Sequence, residues 1–462
     1  MEQPSSLEKT KTRIDAFRMK QASRERIATR QRERLQSLLE FVVRESRFYK
    51  HLYEDVERPI TDLESLPPVT KSQLMEHFDS VVTDTAVELA DVRSFTSETE
   101  NIGKRFLGRY PVWTTSGTTG EPGIFLQDDW SLLAPDAVGD RWSASAMLNV
   151  QTILQVVKHN ARTAELAVGG GHFAAASGVE MLRRENPFLR DRMRLTSPDR
   201  PISVVANELE AFDPAIIVGY STVLLELERE QRAGRLNISP VYITPSGEAI
   251  TDAEKKQLRE TFDCIVREVY GATEFYGIAV ECGHGNLHAN TDWVVLEPVD
   301  EDYQPVEFGE PSDTVLVTNL ANRIQPLVRY DLGDSVTMYE ERCPCGSNFP
   351  VLEVEGRQGD VLHFEATGGE RVTIFPLPLS GVVEAVSGVR RTQIVQTAPQ
   401  ALSVRLDIEK EADESAVWMQ VESDLADFFA DQGVIDLTIE LASEPPTRNP
   451  RSGKFRHVWA AE

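Results

Sequence analysis

The stretch TTSGTTGEPG, Thr114 to Gly123, places five hydroxyl residues and two glycines ahead of Pro122, directly after the apolar Val112 and Trp113. That order reads as a strand running into a loop whose backbone N–H groups and hydroxyls suit a phosphate. It lacks the Gly-Lys-Ser/Thr ending of the common nucleotide loop, and taken alone it reads first as a polar turn. YGATE, Tyr270 to Glu274, ends a strand-like run on a carboxylate that could hold Mg²⁺ against phosphate oxygens. A surface turn with an exposed acid is the plainer alternative. RYDLGD, Arg329 to Asp334, follows the strand-like VLVTNL, and Asp334 is placed to accept both hydroxyls of a ribose. Gly356 and Arg357, with Asp360, open a further segment, and RSGKFR sets Lys454 beside a glycine near the C-terminus.

A second set of residues has metal chemistry. ECGHGNLH supplies Cys282 and His288, and RCPCGS supplies Cys343 and Cys345. Three thiolates and one imidazole suit tetrahedral Zn²⁺, and four protein ligands leave no position for water, so the site is expected to be structural. The Cys-Pro-Cys spacing is tighter than the usual pair. Buried free thiols are the competing account, and His284 competes with His288. Cys264 has no partner in the pattern and reads as a core residue.

These residues need elements to hold them. AIIVGYS (Ala215 to Ser221), VYITPSG (Val241 to Gly247) and CIVREVYG (Cys264 to Gly271) each read as a buried strand ending in a turn. TVLLELEREQRAG between the first two reads as an amphipathic helix closed by Gly234. Strand, helix, strand in that order predicts parallel strands, with ligands beyond their carboxyl ends. Near the N-terminus, Leu35, Leu38, Leu39 and Val42 share a helical face, and the Arg and Lys upstream read as a solvated face. In LPPVTKSQL, Thr70 is placed to cap a helix. After about residue 355, RRTQIVQTA, LSVRLDIE and VIDLTIELA are strand-like, with a helix between the last two, which predicts a separate α+β unit.

A chain of 462 residues with 41% hydrophobic residues can bury a large core, and its net charge of −26 opposes nonspecific nucleic-acid or anionic-membrane binding. No apolar run of membrane-spanning length and no signal-peptide pattern appears, so a cytoplasmic protein is expected.

The ordered set SRFYKHLY, LPPVTK, TTSGTTGEPG, GYS, PSGEAIT, YGATE and RYDLGD, followed by CPCG, resembles the adenylate-forming superfamily. Within it, the chain is similar to the phenylacetate-CoA ligase family and its capsular-polysaccharide-protein-like relatives, over nearly its whole length. The resemblance implies an α/β fold. A large domain, residues 1–355, would combine mixed and parallel sheets with helices and carry a helical segment at about 7–75. A small mobile α+β lid, residues 356–462, would follow. It implies ATP-dependent activation of a carboxylic acid, aryl or arylacetic, to an acyl-adenylate, then transfer to CoA. Transfer to an amine or a carrier-protein thiol, adenylylation of a phenol-like cofactor, and a non-catalytic descendant are the alternatives, and assembly as a homodimer is left open.

Residue by residue, the resemblance puts Thr115, Ser116, Gly117, Thr118, Thr119 and Gly120 on the phosphates. Ser246, Gly247 and Glu248 border the adenine, and Tyr270 stacks nearby, with Gly271, Ala272 and Thr273 beside it. Glu274 carries Mg²⁺, Asp334 and Arg357 bind the ribose, and Lys454 meets the carboxylate and the α-phosphate. Lys454, Glu274 and Thr118 are then the catalytic group. It also favours His288 over His284 as the zinc ligand. The acyl pocket falls on VGGGHFAAAS, with Gly170, Gly171, His172 and Phe173, together with Tyr220, Phe275 and Tyr276. Charge builds on the α-phosphoryl oxygens as a carboxylate attacks them, so donors and cations must be fixed in advance. A lysine on a mobile unit adds its charge only in the closed state. Glu121 stands where many members carry Lys, Gly359 replaces the first Asp of the Gly-Arg-x-Asp-Asp hinge, and residues 361–376 lack an Arg-Gly step tied to the thioester half-reaction.

Overall fold

Short apolar strands separated by amphipathic helices fold into a parallel sheet in the middle of the chain. In the computed structural model, the described residues are 3–60, 62–115, 122–147, 149–198, 200–357, 360–367, 371–374, 376–434, 436–448 and 455–461. The sheet runs in the order Met193–Thr196, Thr163–Leu166, Ile216–Gly219, Tyr242–Pro245, Ile265–Val266, all parallel. Its helices follow from local chemistry. Asp252–Phe262 starts at a capping box between Thr251 and Glu254, and Ser221–Arg232 ends ahead of Gly234 at φ +70°. Both bury a leucine face, including Leu224, Leu227 and Leu258, against Ile217 and Ile243. Each such side chain contributes about 1.5–3 kcal/mol on burial, so the packed face outweighs a cap of about 1 kcal/mol.

CIVREVYG does not form the single strand expected of it. Ile265–Val266 closes the parallel sheet, whereas Val269–Tyr270 joins an antiparallel one. The handover sits at Arg267–Glu268, where the Glu268 N–H donates to Glu281 Oε2 at 3.0 Å and Lys255 Nζ lies 3.2 Å from Glu268 Oε2. This second sheet has the order Asp334–Tyr339, Val351–Arg357, Leu287–Ala289, Ala279–Glu281, Val269–Tyr270. A three-stranded antiparallel sheet, Val294–Val299, Thr314–Asn319 and Tyr330–Asp331, packs beside the strand Asp334–Tyr339.

The N-terminal helical run divides into Ser6–Met19, Arg24–Glu45 and Arg47–Leu52, with caps at Ser5, Ser23 and Ser46. Leu38, Leu39 and Val42 are buried and Leu35 packs beside them. Part of the arginine face is paired rather than solvated: Arg30 and Arg34 reach Asp15, and Arg34 lies 3.4 Å over the Trp293 ring. Thr70 caps Lys71–Glu76 through a capping box with Gln73.

Residues 362–458 hold a core of their own, including Leu362, Phe364, Ile394, Val421, Leu425 and Phe429. Its four-stranded sheet runs Thr438–Leu441, Ala401–Ile408, Val389–Ala398, Val458–Ala460, and the helix Glu414–Asp431 packs upon it from its Asp413 cap. Contacts reach back to the body. Glu226 pairs with Arg391 and, at 3.4 Å, with Arg448, and Arg229 Nη2 donates to the Arg390 carbonyl at 2.6 Å. No helix among the described residues is long and apolar enough to cross a membrane.

Candidate functional site

The strand Val112–Thr114 pairs antiparallel with Ile124–Leu126, and this hairpin fixes the base of the Ser/Thr/Gly loop. Thr115 N–H donates to the Gly123 carbonyl at 2.9 Å, and Gly123 N–H donates to Thr115 Oγ1 at 2.8 Å. The Thr115 hydroxyl oxygen therefore holds the loop neck. Ser116, Gly117, Thr118, Thr119, Gly120 and Glu121 lie outside the described residues. Thr114 also bridges to Phe173, with its N–H donating to the His172 carbonyl at 2.8 Å, so the neck abuts the end of the strand Thr163–Leu166.

The next two parallel strands present their carboxyl ends beside it. Ser246 N–H donates to the Gly219 carbonyl at 2.9 Å, Ser246 bridges to Val269, and Gly247 turns the chain at φ +74°. The Glu248 carboxylate accepts from Thr222 N–H and Oγ1 at 3.0 and 2.8 Å, and from Phe455 N–H at 2.7 Å. Glu248 thus ties a helix start to the C-terminal segment. The YGATEFYG turn is tight: a Cβ at Gly271 would come within 2.7 Å of Gly277 N, which explains the glycine. Glu274 is buried and accepts from Tyr330 Oη at 2.8 Å, while its carbonyl accepts from Asn319 Nδ2 at 3.0 Å. Tyr270 Oη donates to Asp334 Oδ2 at 2.8 Å, joining the ends of two strands of the antiparallel sheet. Arg357 pairs across from Asp334 in the backbone ladder. Lys454 lies outside the described residues.

The four metal-type residues converge. The ligand atoms of Cys282, His288, Cys343 and Cys345 all lie within 4.8 Å of one another, a donor set and spacing that could hold a metal. Cys282 and Cys343 sulfurs are 3.6 Å apart, and Cys345 Sγ is 3.3 Å from His288 Nε2. Backbone N–H groups of His284, Cys345 and Ser347 point at the sulfurs, with Asn286 Nδ2 3.2 Å from Cys343 Sγ. His288 Nδ1 bonds the Phe349 carbonyl at 2.9 Å, which directs Nε2 to the cluster, and Trp142 stacks on the ring at 4.8 Å. Burial holds the His288 imidazole below its ordinary pKa, hence neutral. The His284 side chain is exposed and lies apart from this group.

No family model matches the chain. It is 24% identical over 472 residues to a phenylacetate-coenzyme A ligase of Thermus thermophilus, covering 94% of this chain and 96% of that protein. It is 21% identical over 414 residues to protein CapK of Staphylococcus aureus, covering 86% and 81%. A 2-hydroxyisobutyryl-CoA ligase, solved in a postadenylation state, superimposes with a TM-score of 0.70 at 18% identity, covering 96% of this chain and 91% of that one. The chain is thus similar over most of its length to a phenylacetate-coenzyme A ligase and to CapK, and it shares the fold of a solved CoA ligase.

The residues expected to line an acyl pocket divide. Phe275 is not at a pocket surface: it is 2% exposed and packs with Trp293 and Phe349, because the tight turn sends alternate side chains inward and outward. Tyr276, its neighbour, faces out at 39% exposed. His172 is also turned inward, with its ring 5.5 Å from that of Phe95 and Nε2 3.4 Å from the Glu98 carbonyl. Its burial lowers the pKa. Gly170 supplies the left-handed turn at φ +78°, ahead of Gly171, and Phe173 and Tyr220 cap the helices that leave the sheet. Sequence reasoning missed Tyr330, although it lies inside the quoted RYDLGD. It also missed Arg141, wholly buried and bonded to Asp292 at 3.0 Å and to Asn290, behind the Cys/His corner. Nothing local marks that arginine; its partners lie about 150 residues on.

Proposed function

We propose that this protein activates a carboxylic acid, aryl or arylacetic, with ATP to an acyl-adenylate, and then passes the acyl group to CoA, releasing AMP and pyrophosphate. The observation that carries this reading is the convergence at the strand ends. The neck of the Ser/Thr/Gly loop is bridged to the Gly170–Phe173 turn, and Ser246 is bridged to Val269 beside the Tyr270–Asp334 hydrogen bond, with both turns following strands of the one parallel sheet. The named relatives, a CoA ligase among them, support it.

In this reading residues 1–355 are the body and 356–462 a lid. The loop at 115–120, with Thr118, holds the phosphates, Ser246 to Glu248 and Tyr270 to Thr273 border the base, and Asp334 and Arg357 take the ribose. Asp334 is already oriented by Tyr270. Glu274, positioned by Tyr330, would hold Mg²⁺, which supplies charge neutralisation at the phosphates. Lys454 follows directly before Phe455, whose N–H is held by Glu248, so docking of that segment delivers a cation to the attacking carboxylate and α-phosphate. The Cys₃His corner would hold Zn²⁺ as a structural ion, consistent with four protein donors and the Phe349 carbonyl that fixes the His288 ring.

Pyrophosphate exchange against a panel of carboxylic acids, with and without CoA, tests the reading. Acid-dependent exchange with CoA-dependent AMP release is expected. Exchange without CoA turnover would move the acceptor to an amine or carrier thiol, and silence with every acid would reject adenylation.

A further inference from the structure

Residues 341–350 join the strands Asp334–Tyr339 and Val351–Arg357 without forming helix or strand, and this loop takes its shape around sulfur. The N–H groups of Cys345 and Ser347 point at the sulfurs of Cys343 and Cys345, and Gly346 turns the chain at φ +81°. The same loop is a seat for the N-terminal helices. Asn348 Nδ2 donates to the Ala22 carbonyl at 2.9 Å, and the Arg24 guanidinium donates to the Glu340 carbonyl. Met19, Ala22 and Ile27 pack into one core with Cys282, Cys343, Trp142 and Phe349. Lys20 Nζ lies 5.3 Å from the centre of the Trp142 ring, which itself stacks on His288.

The two ends of this helical arm are held differently. The helix Ser6–Met19 buries Ala16 and Met19, and its ion pairs from Arg13 to Asp136 and Asp140 are largely exposed, so they contribute little. Further along, Gln31 Nε2 donates to the Val294 carbonyl at 3.2 Å. Leu38, Leu39 and Val42 belong to a different core, with Tyr49, Leu74 and Ile324. The first part of the arm thus leans on the Cys loop, and the later part has anchors of its own.

We propose that the Cys₃His corner is a metal-dependent latch for the N-terminal arm: an ion on Cys282, His288, Cys343 and Cys345 fixes the loop that seats residues 6–27. This rests on the metal reading of the corner and is independent of adenylation. A bound ion that gathers ligands from separate loops couples metal binding to local folding. Linkage makes the coupling reciprocal, so a seated arm tightens metal binding by the same factor by which metal favours seating.

The test follows amide hydrogen exchange in the full chain, loaded with Zn²⁺ and then stripped by a chelator under reducing conditions. Exchange across residues 6–27 should quicken about 5- to 150-fold, the span typical of coupled sites, and added Zn²⁺ should reverse it. Residues 38–42 and the strand Ile216–Gly219 should keep their protection. Met19→Ala gives the converse reading: with the seat weakened, a competing chelator should take Zn²⁺ more readily by a comparable factor. Cys345→Ser should show the stripped pattern without any chelator. Should that variant fail to fold, as thermal melting would reveal, the stripped wild-type chain carries the comparison. Unchanged exchange at residues 6–27, or an even rise along the whole chain, overturns the assignment. So does unaltered Zn²⁺ retention in a Met19→Ala chain whose arm has loosened. A chain that binds no Zn²⁺ rejects the metal reading, and this inference falls with it, while pyrophosphate exchange decides adenylation separately.

Discussion

The Cys/His corner and the Glu274–Asp334 cleft are built on one antiparallel sheet, yet they are completed in different ways. In the corner, His288 lies in the strand Leu287–Ala289, its ring fixed by a carbonyl and a tryptophan, and the sulfurs are met by nearby N–H groups. All of these groups come from the body. In the cleft, Tyr270 and Asp334 are fixed to each other and Glu274 to Tyr330, but other parts arrive from elsewhere. Phe455 reaches Glu248 from the separately cored C-terminal unit, and Glu226 holds Arg391 and Arg448 of that unit. In the proposed reading, the corner would hold an ion for stability and benefit from complete preorganisation, whereas the cleft would admit substrates and need some donors to come and go.

Four measurements break or sharpen this contrast. The largest effect is expected behind the corner: Arg141→Met removes the wholly buried partner of Asp292, leaving it only Arg34 at 3.5 Å, and should cost up to about 3–5 kcal/mol in denaturant unfolding, with metal content falling alongside. Next, Lys454→Ala should lower pyrophosphate exchange about 10²–10³-fold while leaving the melting curve in place, as the proposed loss of one transition-state donor requires. Near-normal exchange would remove Lys454 from the chemistry. Third, Glu226→Ala should weaken docking of the C-terminal unit by about 1–2 kcal/mol, roughly 5- to 30-fold. It leaves the mostly buried Arg391 and Arg448 facing each other, and slower exchange with unchanged metal content is the expected reading. Smallest, Tyr330→Phe removes one hydrogen bond to Glu274 and should cost about 0.5–1.5 kcal/mol, seen as a higher Mg²⁺ requirement. A variant in the cleft that released metal from the corner, or the reverse, would show the two regions to be coupled.

Much of this arrangement was legible beforehand. Thr70 read as a cap because it closes a Pro-bounded turn ahead of a helix, and in the structure its capping box with Gln73 satisfies two amide donors locally. Ile216–Gly219 and Tyr242–Pro245 read as strands from their apolar runs. The two halves of CIVREVYG read as one strand because their composition is continuous. They separate because Lys255 and Glu281, distant in sequence, hold Glu268 between the sheets. Tyr270 and Phe275 belong to the same short motif, yet one donates to Asp334, 64 residues away, and the other enters a core. Which side chain of a turn faces in depends on what packs there.

The order of residue types along the chain determined the element sequence, the strand ends that gather the polar motifs, and the presence of three thiols and an imidazole fit for a metal. Those are consequences of local propensity and donor chemistry. Tertiary structure alone decided that Arg141 is sealed behind His288, and that Glu248 reaches the Phe455 amide. Each of these depends on the dielectric and the neighbours that distant segments bring to one point, and no window of sequence contains that information.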